Sequence, residues 1–238
     1  VFRQSSNDER RTTNNESVEE ERIMGVLLKA TGVAERPGRH RKALLQKINL
    51  TVAAGELVVI RGGSNTGKSA LVELLAGLAQ PGAGTIERSG IVALVSQQFR
   101  LYQDLTAEEN LEFFSRINDY QSDWRALLTW AGLDRWPRKN AGQLPVGGKK
   151  MLQIGVALTQ EPDLLILDEP TVGLDGTQTA AVIQLLQKLK QAGKGVALTL
   201  ADAAVLAITG DQVYRLTNGT LVSEHPEAVP AARVEARQ

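Results

Sequence analysis

Short apolar runs alternate along the chain with segments whose apolar residues recur at helical spacing. Val26 to Lys29 and Ile48 to Val52 read as strands, and Leu57 to Ile60 is apolar throughout, as expected for a strand covered on both faces. A glycine-rich turn follows, and Ser69 to Leu78 has the apolar spacing of a helix. Ile91 to Val95 predicts a further buried strand. Thr106, with Glu109 three residues on, carries the capping-box signature of a helix start. Trp124 to Trp130 and Met151 to Leu158 predict helices, as does Thr177 to Leu189; Leu164 to Leu167 and Val196 to Leu200 predict strands. Val213 to Leu216 and Thr220 to Val222 flank Asn218-Gly219, the residue pair that suits a type I′ turn, and read as a hairpin. Strands alternating with helices predict an α/β domain with a mainly parallel sheet. Residues 1–23 are polar and charged and read as a disordered tail, or as an extension upstream of a start at Met24. The end of the chain from Glu224, with two prolines and alternating alanine and charge, reads as a second tail.

Composition narrows the function. The 238 residues hold 27 Lys+Arg against 27 Asp+Glu, and this neutrality argues against a protein that coats a polyanion. The absence of cysteine excludes disulfides, thiolate metal sites and cysteine nucleophiles together. No stretch approaches the roughly 20 apolar residues of a membrane span, and the N-terminal VFRQSSNDERR is not a secretory signal. Any membrane role is expected to come through a partner.

Two elements carry chemistry. Gly62-Gly63-Ser64-Asn65-Thr66-Gly67-Lys68-Ser69 fits G-x-x-x-x-G-K-S between a strand and a helix, the context of a P-loop. There, backbone N–H groups and the positive end of the helix, which continues through Ala70, converge on phosphate oxygens. Lys68 is expected to reach the β- and γ-phosphates and Ser69 to supply a hydroxyl to Mg²⁺. The second element is Leu164-Leu165-Ile166-Leu167-Asp168-Glu169, an apolar strand ending in two acids. Strand C-termini are where open α/β sheets bind ligands. Asp168 suits the outer sphere of Mg²⁺, and Glu169 suits a general base for water.

Asp168-Glu169-Pro170-Thr171 followed by Gly173-Leu174-Asp175 resembles the Walker B and D-loop region of ATP-binding-cassette (ABC) ATPases. Ser96-Gln97-Gln98, then Leu101-Tyr102-Gln103-Asp104-Leu105-Thr106 and Glu109-Asn110-Leu111, resembles that family's Q-loop and the start of its helical subdomain. The resemblance covers about Gly25 to Val222 and is nearest to the ATPase subunits of bacterial export-type transporters. It implies a P-loop core of mainly parallel sheet, an antiparallel β subdomain and an inserted α-helical subdomain. The expected division is 24–98 and 158–223 for the core and 99–157 for the helical subdomain, with tails at 1–23 and 224–238. It also implies ATP and Mg²⁺ as cofactors and Gln97 as a metal contact that senses the γ-phosphate. The implied partners are a second cassette, in a homo- or heterodimer, and a separate transmembrane permease. The implied location is cytoplasmic, peripheral on the inner face of the membrane, with no direct nucleic-acid contact. Phe99, Leu101 and Tyr102 are candidates to meet the permease, with packing inside the subdomain as the other reading.

The chain departs from the family at its signature segment, which reads Gln143-Leu144-Pro145-Val146-Gly147-Gly148-Lys149-Lys150. Either alignment puts Pro145 or Val146 at the serine position, so the hydroxyl that would touch the partner's γ-phosphate is missing. N–H groups near Gly147 and Gly148 remain able to attract phosphate. Lys149 and Lys150 read as solvated surface lysines, with help to that phosphate as the alternative. Ala201 stands where the family has its switch histidine; His40 and His225 read as solvated. No adenine-stacking aromatic precedes the P-loop; Glu35-Arg36-Pro37-Gly38-Arg39-His40 stands in that region. Asn65 replaces a usual glycine, a mild change because Asn tolerates a left-handed backbone. The balance implies retained Mg-ATP binding with slow hydrolysis. The alternatives are a regulatory subunit with little turnover and a soluble family member acting on ribosomes or DNA.

Overall fold

The computed structural model describes residues 25–35, 44–98, 100–121, 123–136, 138–201 and 210–224. Two sheets organise them. β1 (Val26–Ala34), β2 (Ile48–Ala53) and β4 (Ala83–Arg88) form an antiparallel sheet in the order β2-β1-β4. β3 (Leu57–Gly62), β5 (Val92–Val95), β6 (Leu164–Asp168), β7 (Gly195–Ala201), β8 (Gln212–Thr217) and β9 (Thr220–Glu224) form a second sheet in the order β5-β6-β7-β3-β8-β9. It is parallel except for the β8–β9 hairpin. Helix α1 (Lys68–Ala76) follows β3; α2 (Ala107–Ile117), α3 (Trp124–Trp130) and α4 (Val146–Leu158) lie between β5 and β6; and α5 (Gly176–Gln191) leads into β7.

The apolar runs are explained by burial on both faces. Along β3, Leu57 and Val59 face one core with α4 residues such as Met151 and Leu152. Val58 and Ile60 face the other core with α1 and the antiparallel sheet. Alternate residues of a strand point to opposite faces, so an all-apolar strand seals two cores at once.

Several local expectations hold. The Thr106 hydroxyl accepts from Glu109 N at 3.2 Å, and Glu109 Oε2 accepts from Thr106 N at 2.8 Å, a complete capping box. Asn218 and Gly219 have φ of 48° and 79°, as a type I′ turn requires, and Thr217 pairs with Thr220. Asn65 takes φ 60°.

Other expectations are extended or missed. β1 runs five residues past Lys29, to Ala34, because pairing with β2 and β4 continues where the apolar signal stops. β4 escapes sequence reading altogether: it is an edge strand with five of its six residues exposed, so its sequence carries no apolar stripe. Helix α4 starts at Val146 rather than Met151, with Pro145 as its N-cap. Its first turn contains a glycine pair, which weakens the helical signal. β9 continues through Glu224, which accepts from Arg215 Nε at 2.5 Å. The expected tails, residues 1–23 and those beyond Glu224, lie outside the described residues, as does Met24.

Candidate functional site

The turn between β3 and α1 is shaped by residues with unusual backbone freedom. Gly67 has φ 103° and N-caps α1, and Asn65 is also left-handed. At Gly62 a Cβ would lie 2.8 Å from Thr66 Oγ1 and 3.0 Å from Leu216 O, so only glycine fits. Thr66 Oγ1 donates to Gly63 O at 3.0 Å and braces the loop across its base. Lys68 is only 6% exposed. Its ammonium donates to Gly62 O at 2.8 Å and Gly63 O at 2.7 Å, and pairs with Glu169 Oε1 at 3.2 Å. The P-loop lysine and the acid proposed as base therefore meet across the site.

The acidic strand end is held by a residue that sequence reasoning missed. Thr199 on β7 pairs in register with Asp168 on β6. Its hydroxyl donates to Asp168 Oδ1 at 2.6 Å and accepts from Glu169 N at 3.1 Å. One side chain thus fixes both acids, and Glu169 leaves the strand with φ 48°. A non-glycine residue in that region is uncommon and marks a site where surrounding contacts hold the backbone. The available signal was a polar residue inside the otherwise apolar run Val196 to Leu200; Thr199 is fully buried.

Gln97 follows β5, and its Nε2 lies 3.4 Å from Ser69 Oγ. A cavity of about 330 Å³ brings these elements together, lined by Leu44, Ser64, Asn65, Gly67, Lys68, Ser69, Ala70, Gln97 and Glu169. Gly62, Gly63 and Thr66 belong to the same loop but do not line the cavity, and neither does Asp168, which is 2% exposed. Leu44 is an addition from the structure. A larger hollow of about 780 Å³ lies on the antiparallel sheet beside Lys29, Asn49, Glu87 and Tyr214. None of the expected phosphate or metal groups reaches it, so chemistry assigns the site to the smaller cavity.

The donor set fits Mg-ATP. A buried ammonium at a helix N-terminus suits phosphate. The Ser69 hydroxyl, the Gln97 carboxamide and the Asp168 carboxylate are hard oxygen donors of the kind Mg²⁺ takes beside phosphate oxygens.

The signature segment is a separate region. Gly147 and Gly148 sit in the first turn of α4 and do not line the cavity. A Cβ on Gly147 would lie 2.4 Å from Gln178 Oε1 and 2.8 Å from Gly173 O, and one on Gly148 would lie 3.2 Å from Trp136 Cζ3. Pro145 supplies no side-chain cap, and Val146 is 56% exposed.

Lys150 corrects the surface reading. It is 3% exposed, and its Nζ donates to Ser96 O at 3.2 Å. Burial pulls its ammonium below the ordinary lysine value, while the carboxylates of Asp168 and Glu169 oppose that shift. Helical spacing carries it inward because α4 starts earlier than the sequence suggests. Leu101 takes the packing reading of the two offered: it sits in the core at 9% exposure. Tyr102 remains 49% exposed, stacked edge-on to Phe113 with ring centroids 4.8 Å apart. Ala201 is the last residue of β7. Phe99, Arg36 to His40, Asp202 and His225 lie outside the described residues.

The family model for ABC transporters matches residues 45–172, from before the P-loop to beyond the acidic strand end. The methionine import ATP-binding protein MetN of Nocardia farcinica is 31% identical over 79% of this chain and 63% of its own length. The high-affinity branched-chain amino acid transport ATP-binding protein BraG of Pseudomonas aeruginosa is 31% identical over 75% of this chain and 84% of its own. Among solved structures, the dimeric post-hydrolysis state of the ATP-binding cassette MJ0796 bound to ADP and Pi superposes with a TM-score of 0.75 at 26% identity, over 84% of this chain and 99% of that one. With the phosphate loop and the acidic strand end both inside the matched residues 45–172, the chain belongs to the ABC transporter family as one of its ATP-binding cassettes.

Proposed function

We propose that this chain is the ATP-binding subunit of an ABC transporter, in which Mg-ATP binding closes it onto a second cassette and slow hydrolysis resets it, both acting on a separate membrane subunit. The observation that carries this reading is the meeting of Lys68, Ser69, Gln97 and Glu169 around one cavity, with Asp168 locked behind them by Thr199. Lys68 holds the β- and γ-phosphates together with the N–H groups of the loop from Gly62 to Ala70. Ser69, Gln97 and Asp168 would hold Mg²⁺, which would neutralise phosphate charge. Glu169 accepts the proton of the attacking water.

The rate is where the family pattern is broken. Ala201 offers no side-chain donor to the γ-phosphate, and neither Pro145 nor Val146 has the hydroxyl that would serve the partner's site. Removing one such transition-state donor lowers turnover by roughly 10²–10³-fold. The same two positions favour a second reading, a regulatory subunit that binds ATP and turns it over hardly at all.

The division into core (24–98 and 158–223) and helical subdomain (99–157) follows the resemblance, as does the nearness to export-type subunits. The exposed rings of Tyr102 and Phe113 offer the membrane subunit a landing surface on the helical subdomain. Among the described residues no helix is long and apolar enough to cross a membrane. Attachment to the inner face of the membrane then comes through the permease.

Calorimetry of ATP with Mg²⁺ and a steady-state phosphate-release assay on the purified chain test the proposal. Expected are saturable ATP binding and slow turnover that Glu169→Gln abolishes while binding persists. Absence of ATP binding overturns the reading. Brisk turnover, at the roughly 1–10³ s⁻¹ of ordinary enzymes, overturns slow hydrolysis alone.

A further inference from the structure

Among the described residues of the segment between β5 and α2, Gln97 alone lines the cavity, and the two carbonyls flanking it are both taken by side chains of α4. Lys150 Nζ donates to Ser96 O at 3.2 Å, and Gln153 Nε2 donates to Gln98 O at 2.9 Å. The two donors stand three residues apart, on one face of the helix, and the two acceptors stand two residues apart around Gln97. Both side chains are buried, at 3% and 4% exposure. The donors reach backbone rather than side-chain atoms, so they set where the Gln97 main chain runs whatever its side chain does. Burying a lysine and a glutamine among apolar neighbours is costly unless they are paired. Ser96 Oγ also donates to Gln98 O, at 2.8 Å, so this turn is anchored both within itself and from the helix.

We propose that Lys150 and Gln153 are positioning residues for Gln97: together they grip its loop from both sides and hold the carboxamide at the Ser69 edge of the metal site. The inference rests on the reading of the site as a Mg-ATP site. It gives the helix that begins with the altered signature a direct purchase on the metal-facing glutamine. It also gives the Lys150 charge a use unrelated to a solvated face.

The grip acts on the metal-dependent part of nucleotide binding and spares the rest. The measurement is ATP affinity with Mg²⁺ and with EDTA, on the full chain, for Gln97→Ala, Gln153→Leu, Lys150→Met and Lys150→Arg, and for Gln97→Ala combined with Gln153→Leu. Gln153→Leu is the cleanest variant. It removes the grip and also the Gln153 Oε1 that is buried without a partner, while Ser96 still serves Gln98 O. Its melting temperature is therefore expected to stay close to that of the parent.

Expected is a threefold to tenfold fall in the affinity gained from Mg²⁺ for Gln97→Ala, Gln153→Leu and Lys150→Met, with affinity in EDTA within twofold of the parent. Lys150→Arg should restore most of the gain. In the Gln97→Ala background Gln153→Leu should add nothing, because the effect runs through Gln97. An unchanged Mg²⁺ gain in both Gln153→Leu and Lys150→Met overturns the inference, as does a full extra loss in the double variant. If the parent chain does not bind ATP at all, the proposed function itself fails; if it binds and these variants match it, only the positioning role fails.

Discussion

Two turns of this protein look alike in sequence: Gly62 to Ser69 before α1, and Pro145 to Lys150 at the start of α4. Each combines glycines with lysine at a helix N-terminus. Their glycines answer different demands. In the first, Gly67 has a positive φ, which lets the backbone wrap around an open cavity. In the second, neither Gly147 nor Gly148 is left-handed, and both are small because neighbours press on them. Their lysines differ as well. Lys68 turns into the cavity and meets Glu169, whereas Lys150 turns into the protein and meets the carbonyl before Gln97. The same pairing of glycine and lysine thus serves an open cavity in the first turn and close packing in the second.

Lys68→Ala should have the largest effect. Losing the ammonium removes the main cation of the cavity, and ATP affinity should fall by about 100-fold, in line with the roughly 1.5–3 kcal/mol of a charged hydrogen bond. Calorimetry that finds the parent affinity would show that the first turn is no phosphate site.

Next in size is Thr199→Val, which keeps shape and deletes the hydroxyl holding Asp168 and Glu169 N. Leaving those buried groups short of a partner should cost about 1–3 kcal/mol of stability by urea unfolding, together with a weaker Mg²⁺ dependence of ATP binding. Unchanged unfolding would show that the acids hold themselves in place.

Gly147→Ala tests the other turn. The new methyl would press on Gln178 and on the Gly173 backbone, an overpacking cost of about 1–3 kcal/mol. ATP affinity of the isolated chain should stay within twofold of the parent. A large affinity loss would mean that the two turns are not separate after all.

The smallest expected effect serves as a control far from both turns. Lys194, at 2.8 Å, and the Ile91 N–H hold the Asp163 carboxyl below its ordinary value of 3.8. A depressed carboxylate stabilises the fold above that ordinary value, and the contribution fades as pH falls through the lower folded value. Asp163→Asn should flatten the acid limb of a melting-temperature profile below about pH 4 and leave ATP binding alone. An identical acid limb would remove Asp163 from the account.

Much of the site was legible because its chemistry is local. The P-loop needs contiguous residues with particular backbone freedom, and Asp168-Glu169 advertises itself by ending an apolar strand. Thr199 was not legible as a site residue, because its role depends on β7 lying beside β6 in a given register. Lys150 was misread for a related reason: its burial depends on where α4 begins and on what packs over it. β4 left no trace because an edge strand in solvent has no apolar requirement.

By itself the sequence determined the alternation of strands and helices, the phosphate loop, the acidic strand end and the departures at Pro145, Val146 and Ala201. Those properties follow from the preferences of neighbouring residues, which act over a few positions. Only the tertiary structure decided that Thr199 holds both acids, that Lys150 points inward and that α4 grips the loop of Gln97. Such contacts join residues 30 to 55 positions apart, and pairing at that range is set by strand order and packing rather than by any short stretch of chain.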